Sequence, residues 1–422
     1  MAPTDSGSGD RLDLARHIRA HDMVVWGQAS AEPRTLTELL LAQRGRIGPL
    51  RCFVGIPAES ALTLETSDGL DVHSYCGSGT NAALQAAGRL DVVPVHYSTL
   101  PRMLSAGPLR ADVVLVQVSP PDERGRHSLG LADDYFSAAL DTARVVIAEI
   151  NDQVPYTYGA RTIGADEWTA AIHTSRTPGR MPAGRITEQI RAAAKQVAGL
   201  IQDGATLQFG IGALPDAVLT ELHDRRDLGI HSGILNDSAM RLIEDGVVTG
   251  ERKTIDRGVA VAGLLAGSER LFRFAHRNPR LLLRNTAYTH APEVLAASHQ
   301  LVAVNSAIEV DLTGQVNAET AAGRYVGAVG GAVDFLRGAS RSPGGLPIVA
   351  LPSTAAGRSR IVARLSGPTS TPRSEPLIVV TEHGVADLRG LPVSARIERM
   401  LAVADPAHRA DLEAAAAPPL AA

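Results

Sequence analysis

The stretch Ala111–Ser119, ADVVLVQVS, is a short apolar run that is rich in β-branched residues. Comparable runs are MVVWG at 23–27, RCFVGI at 51–56 and ARVVIAEIN at 143–151, and helical patterns separate them. Apolar runs without polar alternation are typical of strands that are covered on both faces, as in parallel sheets. We therefore predict an α/β fold that is built on a parallel sheet.

The second half of the chain repeats this alternation after a segment that resembles a linker. TSRTPGRMPAG at 174–184 has no periodicity and is rich in Gly, Pro, Arg and Thr. A helical pattern follows and ends at Gly204, which predicts that a second domain begins with a helix. We expect two similar open α/β domains and a disordered tail, at residues 1–184, 185–415 and 416–422.

Composition limits the classes of function. The 422 residues carry 41 basic and 45 acidic side chains, a net charge of −4, and there is no basic run of the kind that binds nucleic acid or an anionic membrane. The chain shows no signal segment and no apolar stretch of about 18 residues. Its two cysteines cannot form a disulfide framework or a four-cysteine metal site. We expect a cytoplasmic protein that acts on small molecules and has no metal.

Two glycine-rich segments are candidate ligand sites. In QFGIGALPD, Gly210 and Gly212 lie between a predicted strand and a helix that opens near Pro215. Free amides at a helix start can hold an anion or an oxyanion, although a tight turn without a ligand explains the pattern equally well. The cluster VGAVGGAVDFLRGASRSPGG at 326–345 has more glycines than turns usually need, which favours a ligand close to the backbone.

Carboxylates precede the second cluster in VNSAIEVDLTGQVNAET. Strand alternation places Glu309 and Asp311 on one face, where a pair of carboxylates can do acid or base chemistry. A polar network that closes the end of the strand is an equally weighted alternative.

Several long motifs in a fixed order resemble the acetyl-CoA hydrolase/transferase family of class I CoA-transferases. They are WGQASAEP at 26–33, VSPPDERGRHSLG at 118–130, SAIEVDLTGQVNAE at 306–319, VGGAVDFLRGAS at 329–340 and TEHGVADLRG at 381–390. The resemblance implies two domains of the open α/β CoA-transferase type with an acyl-CoA site between them, and a homodimer or larger homo-oligomer. It also implies transfer of CoA to a carboxylate through a covalent glutamyl-CoA thioester, or release of the acid to water.

The resemblance assigns roles to residues of this chain. Gln208 matches the family's active-site glutamine in LQxGIG, and the catalytic glutamate belongs in Asp227–Asp237, DLGIHSGILND, where the family reads DLGIH[ST]EM. This chain has Gly233 at that position, so a glutamyl intermediate cannot form there. The coenzyme-binding backbone implied by the resemblance is Gly210, Ile211, Gly212, Ala213, Leu214, Gly327, Gly330 and Gly331.

A second difference from the family concerns the thiol of the substrate. Relatives have a lysine after the SxGG stretch, whereas this chain reads Ser342-Pro343-Gly344-Gly345-Leu346. Such a lysine is suited to pair with a phosphate of CoA. A phosphopantetheine thioester on an acyl carrier protein lacks the adenosine phosphates, so both CoA and a carrier protein are candidate thiols.

The absence of the glutamate leaves three hypotheses. In the first, water or an amine or alcohol acceptor occupies the volume beside Gly233 and attacks an acyl thioester directly, with His231, Asp237 or Glu309 as the base. In the second, another carboxylate supports CoA transfer. In the third, the protein binds acyl-CoA, or pairs with an active subunit, without catalysis.

Overall fold

The structure is a computed structural model that describes residues 4–5, 12–159, 161–181 and 184–416. The described chain separates into two compact units. The first unit contains the described residues up to 181 together with 235–237 and 261–289. The second unit contains the ranges 184–234, 238–260 and 290–416.

The elements up to residue 181 are, in chain order, strands β1 (Thr4–Asp5), β2 (Met23–Trp26), β3 (Leu50–Val54), β4 (Leu70–Ser74), β5 (Asp91–Val92), β6 (Val113–Val118), β7 (His127–Ser128), β8 (Val145–Asn151), β9 (Tyr158–Gly159), β10 (Thr162–Ile163) and β11 (Ala170–Thr174), and helices α1 (Arg34–Ile47), α2 (Asn81–Ala86), α3 (Leu100–Ser105) and α4 (Ser137–Leu140).

From residue 184 the strands are β12 (Thr206–Phe209), β13 (Gly229–Ile230), β14 (Ile234–Leu235), β15 (Ala260–Ala262), β16 (Leu264–Leu265), β17 (Leu281–Leu283), β18 (Leu301–Ser306), β19 (Glu309–Asp311), β20 (Val316–Asn317), β21 (Thr320–Ala321), β22 (Arg324–Tyr325), β23 (Leu346–Ala350), β24 (Thr354–Ala355), β25 (Arg358–Ser359), β26 (Ile361–Val362), β27 (Ile378–Thr381) and β28 (Gly384–Asp387). The helices are α5 (Glu188–Leu200), α6 (Ala213–Thr220), α7 (Asp237–Glu244), α8 (Glu269–Ala275), α9 (Thr286–Thr289), α10 (Pro292–Ala297), α11 (Ala332–Arg341), α12 (Val393–Val403) and α13 (Arg409–Ala416).

The first unit is built on an eight-stranded sheet in the order β1-β11-β8-β6-β2-β3-β4-β5. Every neighbouring pair in it is parallel. All residues of the central strands β6 and β8 are buried, as expected for strands that are covered on both faces. The predicted parallel α/β sheet is confirmed, and the four apolar runs lie on β2, β3, β6 and β8.

The second unit is built on a six-stranded sheet in the order β13-β12-β18-β23-β27-β28. The strands are parallel except for β28, which pairs antiparallel with β27. Helix α5 begins where Thr187 caps it, because the Thr187 Oγ1 accepts a hydrogen bond from the Ile190 N–H at 3.3 Å. Both units are thus open α/β domains, as the sequence predicts.

The first unit is not a continuous segment of the chain. Residues 235–237 and 261–289 lie in it, although the sequence pattern placed them in a domain of residues 185–415. Backbone hydrogen bonds hold these residues there, since Leu265 N donates to Leu131 O at 2.8 Å and Asp133 N donates to Gly263 O at 2.9 Å. The expected disordered tail lies outside the described residues, apart from Ala416, which ends α13.

Among the helices of the described ranges, none combines the length and the apolar composition needed to cross a bilayer.

Glu32 of the WGQASAEP motif is a buried carboxyl group in the first unit. Its Oε1 accepts hydrogen bonds from Thr37 Oγ1 at 3.1 Å and from Ala61 N at 3.3 Å. Burial is the main cause that raises the pKa of Glu32 from 4.5 to about 7. The folded state therefore holds a proton on Glu32 at pH values where the unfolded chain has lost it.

We expect Glu32→Gln to stabilise the first unit by about 1–2 kcal/mol at pH 8 and to change its stability little at pH 5. The stability contributed by the bound proton is fully present below pH 4.5 and is lost as the pH rises through 7. Glutamine is neutral throughout this range. The measurement is thermal unfolding followed by tryptophan fluorescence, because Trp26 and Trp168 are the only tryptophans and both lie in the first unit.

Glu38→Gln is the matched control for this prediction. The hydrogen bond from Arg176 is the main cause that lowers the pKa of Glu38, so the charged form is favoured and its removal should destabilise slightly at pH 8. An equal effect of Glu32→Gln at pH 5 and pH 8 would contradict the raised pKa.

Candidate functional site

Gln208 and Asn305 lie side by side at the carboxyl ends of two neighbouring strands of the second unit. Strands β12 and β18 pair in parallel, with Gln208 opposite Ala303. Asn305 Nδ2 donates to Gln208 Oε1 at 3.0 Å, and Gln208 Nε2 donates to Asn305 Oδ1 at 3.4 Å. The carboxyl ends of parallel strands are the usual place for a ligand in open α/β sheets. The predicted site glutamine is therefore at such an edge, and a second amide orients it.

The turn between β12 and α6 contains the first predicted coenzyme-binding residues. Gly210 N donates to Val304 O at 3.0 Å, and a Cβ on Gly210 would lie 3.3 Å from Asn305 Oδ1. Gly212 has a φ of +132°, a conformation that residues with side chains rarely adopt. Helix α6 begins at Ala213, directly after Gly212. This is two residues before Pro215, near which the sequence predicted the start of the helix. The N–H groups of Ala213 and Leu214 have no acceptor within the helix, Pro215 has no N–H, and amides in this position can hold negative charge.

The segment DLGIHSG runs beside β12. His231 N donates to Leu207 O at 3.0 Å, and the next side chain, Ser232, donates through Oγ to Phe209 O at 3.2 Å. His231 is buried. Lys253 Nζ donates to the carbonyl oxygen of the preceding residue 230 at 3.0 Å. The backbone on both sides of His231 is thus held in place within the second unit.

Gly233, at the position of the family's glutamate, lies beside two rings. A Cβ on Gly233 would be 3.3 Å from Cε1 of His290, 3.6 Å from its Nε2 and 3.7 Å from Cε2 of Phe335. The His290 and Phe335 rings have centroids 4.5 Å apart and an interplanar angle of 53°. The volume beside Gly233 is therefore partly filled by these side chains, whereas the sequence alone suggested open space.

His290 was not among the residues that the sequence pointed to. It lies in YTHAPEVLAA, just before α10, and no motif or spacing links it to Gly233. It is only 4% exposed. Burial, with a smaller effect from the charge of His231, lowers the pKa of His290 to about 3. The imidazole is thus neutral at any pH near 7.

The second glycine cluster also requires close approach. A Cβ on Gly327 would overlap the carbonyl oxygen of Ala318, and a Cβ on Gly331 would lie 2.6 Å from His290 Nε2. Gly330 has a φ of +56°. Gly331 directly precedes α11. The structure thus brings one predicted coenzyme-binding glycine, Gly331, to the same imidazole that lies beside Gly233.

The two carboxylates of β19 are each held by their own donors. Glu309 Oε1 accepts from Ser366 N at 2.7 Å, Gly367 N at 3.2 Å and Asn317 Nδ2 at 3.0 Å. Asp311 accepts from residues 313 and 315 of the following turn. This is the arrangement of a polar network that organises the end of a strand.

Asp237, the remaining predicted base, is the first residue of α7 and belongs to the first unit. Its Oδ1 accepts from Ser268 Oγ at 2.5 Å, and its Oδ2 accepts from Ser268 N at 2.9 Å. Ser268 immediately precedes α8. Asp237 therefore holds the start of that helix.

Asp71, His73 and Asp91 are a separate group of metal-ligand types in the first unit. One ligand atom from each lies within 4.8 Å of the others. The Asp71 side chain is 56% exposed, and its Oδ1 is 3.2 Å from His73 Nε2. Exposed pairs of this kind are common without a metal, so we assign none to the group.

Two open α/β units built on largely parallel sheets, with paired amides and a glycine turn at the strand ends of the second unit, define the class of fold. Residues 10–170 match the acetyl-CoA hydrolase/transferase N-terminal domain, and residues 267–416 match the acetyl-CoA hydrolase/transferase C-terminal domain. The chain belongs to the acetyl-CoA hydrolase/transferase family. This confirms the resemblance found in its motifs.

Named relatives cover nearly the whole chain. The 4-hydroxybutyrate coenzyme A transferase of Clostridium kluyveri is 34% identical over 408 residues, which are 94% of each chain. The crystal structure of RipA from Yersinia pestis has a TM-score of 0.90 and 34% identity, and covers 96% of this chain and 95% of its own. The 4-hydroxybutyrate CoA-transferase of Porphyromonas gingivalis has a TM-score of 0.81 and 33% identity, with 95% and 94% covered. The relatives support an enzyme of the CoA-transferase or acyl-CoA hydrolase kind.

Proposed function

We propose that the protein transfers the acyl group of an acyl thioester directly to water or to a small amine or alcohol acceptor. The observation that carries the proposal is the environment of Gly233, where a neutral imidazole lies beside a position that has no carboxylate. A glutamyl anhydride and a glutamyl-CoA thioester both require a side-chain carboxylate, and glycine has none. The family and the names of the relatives support acyl-CoA as the class of substrate.

CoA transfer through another carboxylate is less well supported. Both oxygens of Asp237 accept hydrogen bonds from Ser268, and Glu309 Oε1 accepts four, two of them from Ser366. A carboxylate that attacks a thioester would have to give up these bonds, and each donor left buried without a partner costs about 1–3 kcal/mol. Neither group is thus poised as a replacement nucleophile.

The residues of the second unit fit direct attack. The first amides of α6, after Gly212, can hold the oxyanion that forms on the thioester carbonyl, and one such donor is worth about 10²–10³ in rate. Gln208, oriented by Asn305, supplies a further polar group at the same strand ends. We assign the role of base for the acceptor to His231, the predicted candidate that is neither a capping residue nor part of the β19 network.

The thiol of the substrate is CoA or the phosphopantetheine of an acyl carrier protein. Gly345 lies in the segment that lacks the family lysine, and its carbonyl oxygen accepts a hydrogen bond from Arg389 Nη1 at 3.4 Å. The Arg389 guanidinium is also bonded to both carboxylate oxygens of Asp387, at 2.9 Å and 2.7 Å. That positive charge is already neutralised, which supports a substrate without the adenosine phosphates. We further propose that the protein acts in the cytoplasm, and that it is a homo-oligomer, as its family resemblance implies.

The test is mass spectrometry of the purified protein with a panel of acyl-CoA and acyl-pantetheine thioesters. Each thioester is offered with water alone, with carboxylates, and with amines or alcohols. We expect free acid, amide or ester to form, and no new acyl-CoA in the presence of a carboxylate. Gln208→Ala should lower kcat/KM about tenfold or more, whereas the exposed Gln202→Ala should leave it unchanged.

Other products decide between the alternatives. A new acyl-CoA formed from an added carboxylate would show CoA transfer and would refute direct attack. Binding of a thioester without any product would show a binding protein. A preference of at least tenfold in kcat/KM for the carrier-bound thioester over CoA would identify the thiol.

A further inference from the structure

His290 is held at the point where two predicted site glycines meet. Its Nε2 lies 3.6 Å from the position of a Cβ on Gly233 and 2.6 Å from that of a Cβ on Gly331. Any other residue at 331 would push the imidazole away, because 2.6 Å is shorter than real contacts of a Cβ. The position of the ring's nitrogen edge therefore depends on the absence of a side chain at Gly331, and the same edge lies in van der Waals range of the Cβ position of Gly233.

The other side of the imidazole is packed. Phe335, on α11, contacts the His290 ring at a centroid distance of 4.5 Å. Aromatic packing and burial remove most of the freedom of a side chain, so the direction of the imidazole is set before a ligand arrives. Preorganised donors are the ones that stabilise developing charge most effectively.

The charge state of His290 decides whether its imidazole can act as a proton acceptor or as a hydrogen-bond donor. Burial and the neighbouring His231 lower the pKa of His290 to about 3, which makes it a poor acceptor of a proton at neutral pH. A neutral imidazole still carries one N–H. Histidines whose pKa is lowered in this way can polarise a carbonyl group by donating a hydrogen bond.

We propose that His290 is a catalytic residue that donates its Nε2–H to the carbonyl oxygen of the acyl thioester beside Gly233. The inference rests on the proposed function. The acceptor oxygen or nitrogen forms a bond to the carbonyl carbon, and the carbonyl π electrons move to the oxygen that His290 contacts. The carbonyl then re-forms, the carbon–sulfur bond breaks, and the thiolate receives the proton lost by the acceptor. His290 keeps its own proton throughout.

The experiment compares His290→Gln, which retains an N–H donor, with His290→Leu, which does not. We expect His290→Leu to lower kcat by about 10²–10³ with little change in KM, and His290→Gln to remain within about tenfold of the wild type. The pH dependence of kcat between pH 6 and 9 should be the same in His290→Gln as in the wild type. His223→Leu, at an exposed histidine of the second unit, is the control and should leave kcat unchanged.

A second readout does not depend on turnover. A stable ketone analogue of acyl-CoA, in which a methylene replaces sulfur, is bound to the protein and its carbonyl stretch is measured by infrared spectroscopy. A donor that contacts the oxygen should lower the frequency in the wild type and in His290→Gln, and the shift should be lost in His290→Leu. Thermal unfolding of each variant shows whether it is folded.

The outcomes separate the inference from the function on which it rests. If the wild type consumes no thioester but the carbonyl shift depends on His290, the proposed function fails and the contact stands. If thioester is consumed and His290→Leu has wild-type kcat and carbonyl frequency, the role of His290 is refuted. If His290→Gln is as slow as His290→Leu and its pH profile changes, His290 is a base and the proposed donor role is wrong.

Discussion

Gly233→Glu combined with His290→Ala should yield a protein that forms a covalent adduct with CoA, detected as a mass increase of CoA minus one water. The single variant Gly233→Glu should give little or no adduct. Its new Cβ would lie 3.3 Å from His290 Cε1, which is tight enough that the ring must shift by a few tenths of an ångström, and we expect the longer glutamate side chain to increase this crowding. Removing the imidazole provides the space.

The adduct is measured by intact-protein mass spectrometry after incubation with acyl-CoA thioesters, and peptide mapping places it on residue 233. The wild type and His290→Ala alone are the controls and should show no adduct, because residue 233 has no carboxylate in either. The double variant also lacks the N–H that we assign to the carbonyl oxygen, so its adduct should accumulate slowly and is scored after prolonged incubation. A double variant that is folded, binds acyl-CoA and still forms no adduct would count against residue 233 as the nucleophile position. Such a result would remove the main support for the proposed function.

Gly327→Ala should destabilise the second unit by roughly 3 kcal/mol, because backbone atoms must move to admit the methyl group. The new Cβ would overlap the carbonyl oxygen of Ala318 and lie 3.1 Å from its carbonyl carbon. That carbonyl oxygen also accepts a hydrogen bond from Ala328 N at 3.1 Å, so the strain would disturb the loop before α11. Thioester turnover should fall as well, because this loop leads to Gly331, which lies beside His290.

The measurement for Gly327→Ala is urea unfolding followed by far-ultraviolet circular dichroism, because both tryptophans lie in the first unit and fluorescence would not report the loss. Gly199→Ala is the matched control. Gly199 is exposed on α5 with no atom within 4 Å of its Cβ position, so alanine should stabilise by about 0.5–1 kcal/mol. If Gly327→Ala is as stable as the wild type, the close approach to Ala318 is not a requirement of the fold.

The sheet strands were predictable because their signal is local. A strand such as β6, which is buried along its whole length, shows an unbroken apolar run in the sequence itself. The glycine turn after Phe209 was also predictable, since a strand, two glycines and a helix follow one another directly. The start of α6 was misplaced by two residues because Pro215 fits the first turn of a helix as well as its first position.

The roles of individual polar residues were much less predictable. Glu309 has the same sequence environment whether it acts as a base or organises a strand end, and its donor Ser366 comes from a distant part of the chain. The same holds for Asp237 and Ser268. A carboxylate can be assigned to a network only when the donors that surround it in space are known.

The sequence by itself determined the α/β class, the two-part organisation, the family, and the replacement of the family's glutamate by Gly233. These follow from local periodicity and from motifs of contiguous residues, which a linear pattern records completely. Only the tertiary structure decided what lies beside Gly233, because His290, from the segment before α10, and Phe335, from α11, reach it through the packing of the second unit. Chain folding brings these side chains within 4 Å of the position that a Cβ on Gly233 would take, and no spacing along the sequence encodes that proximity.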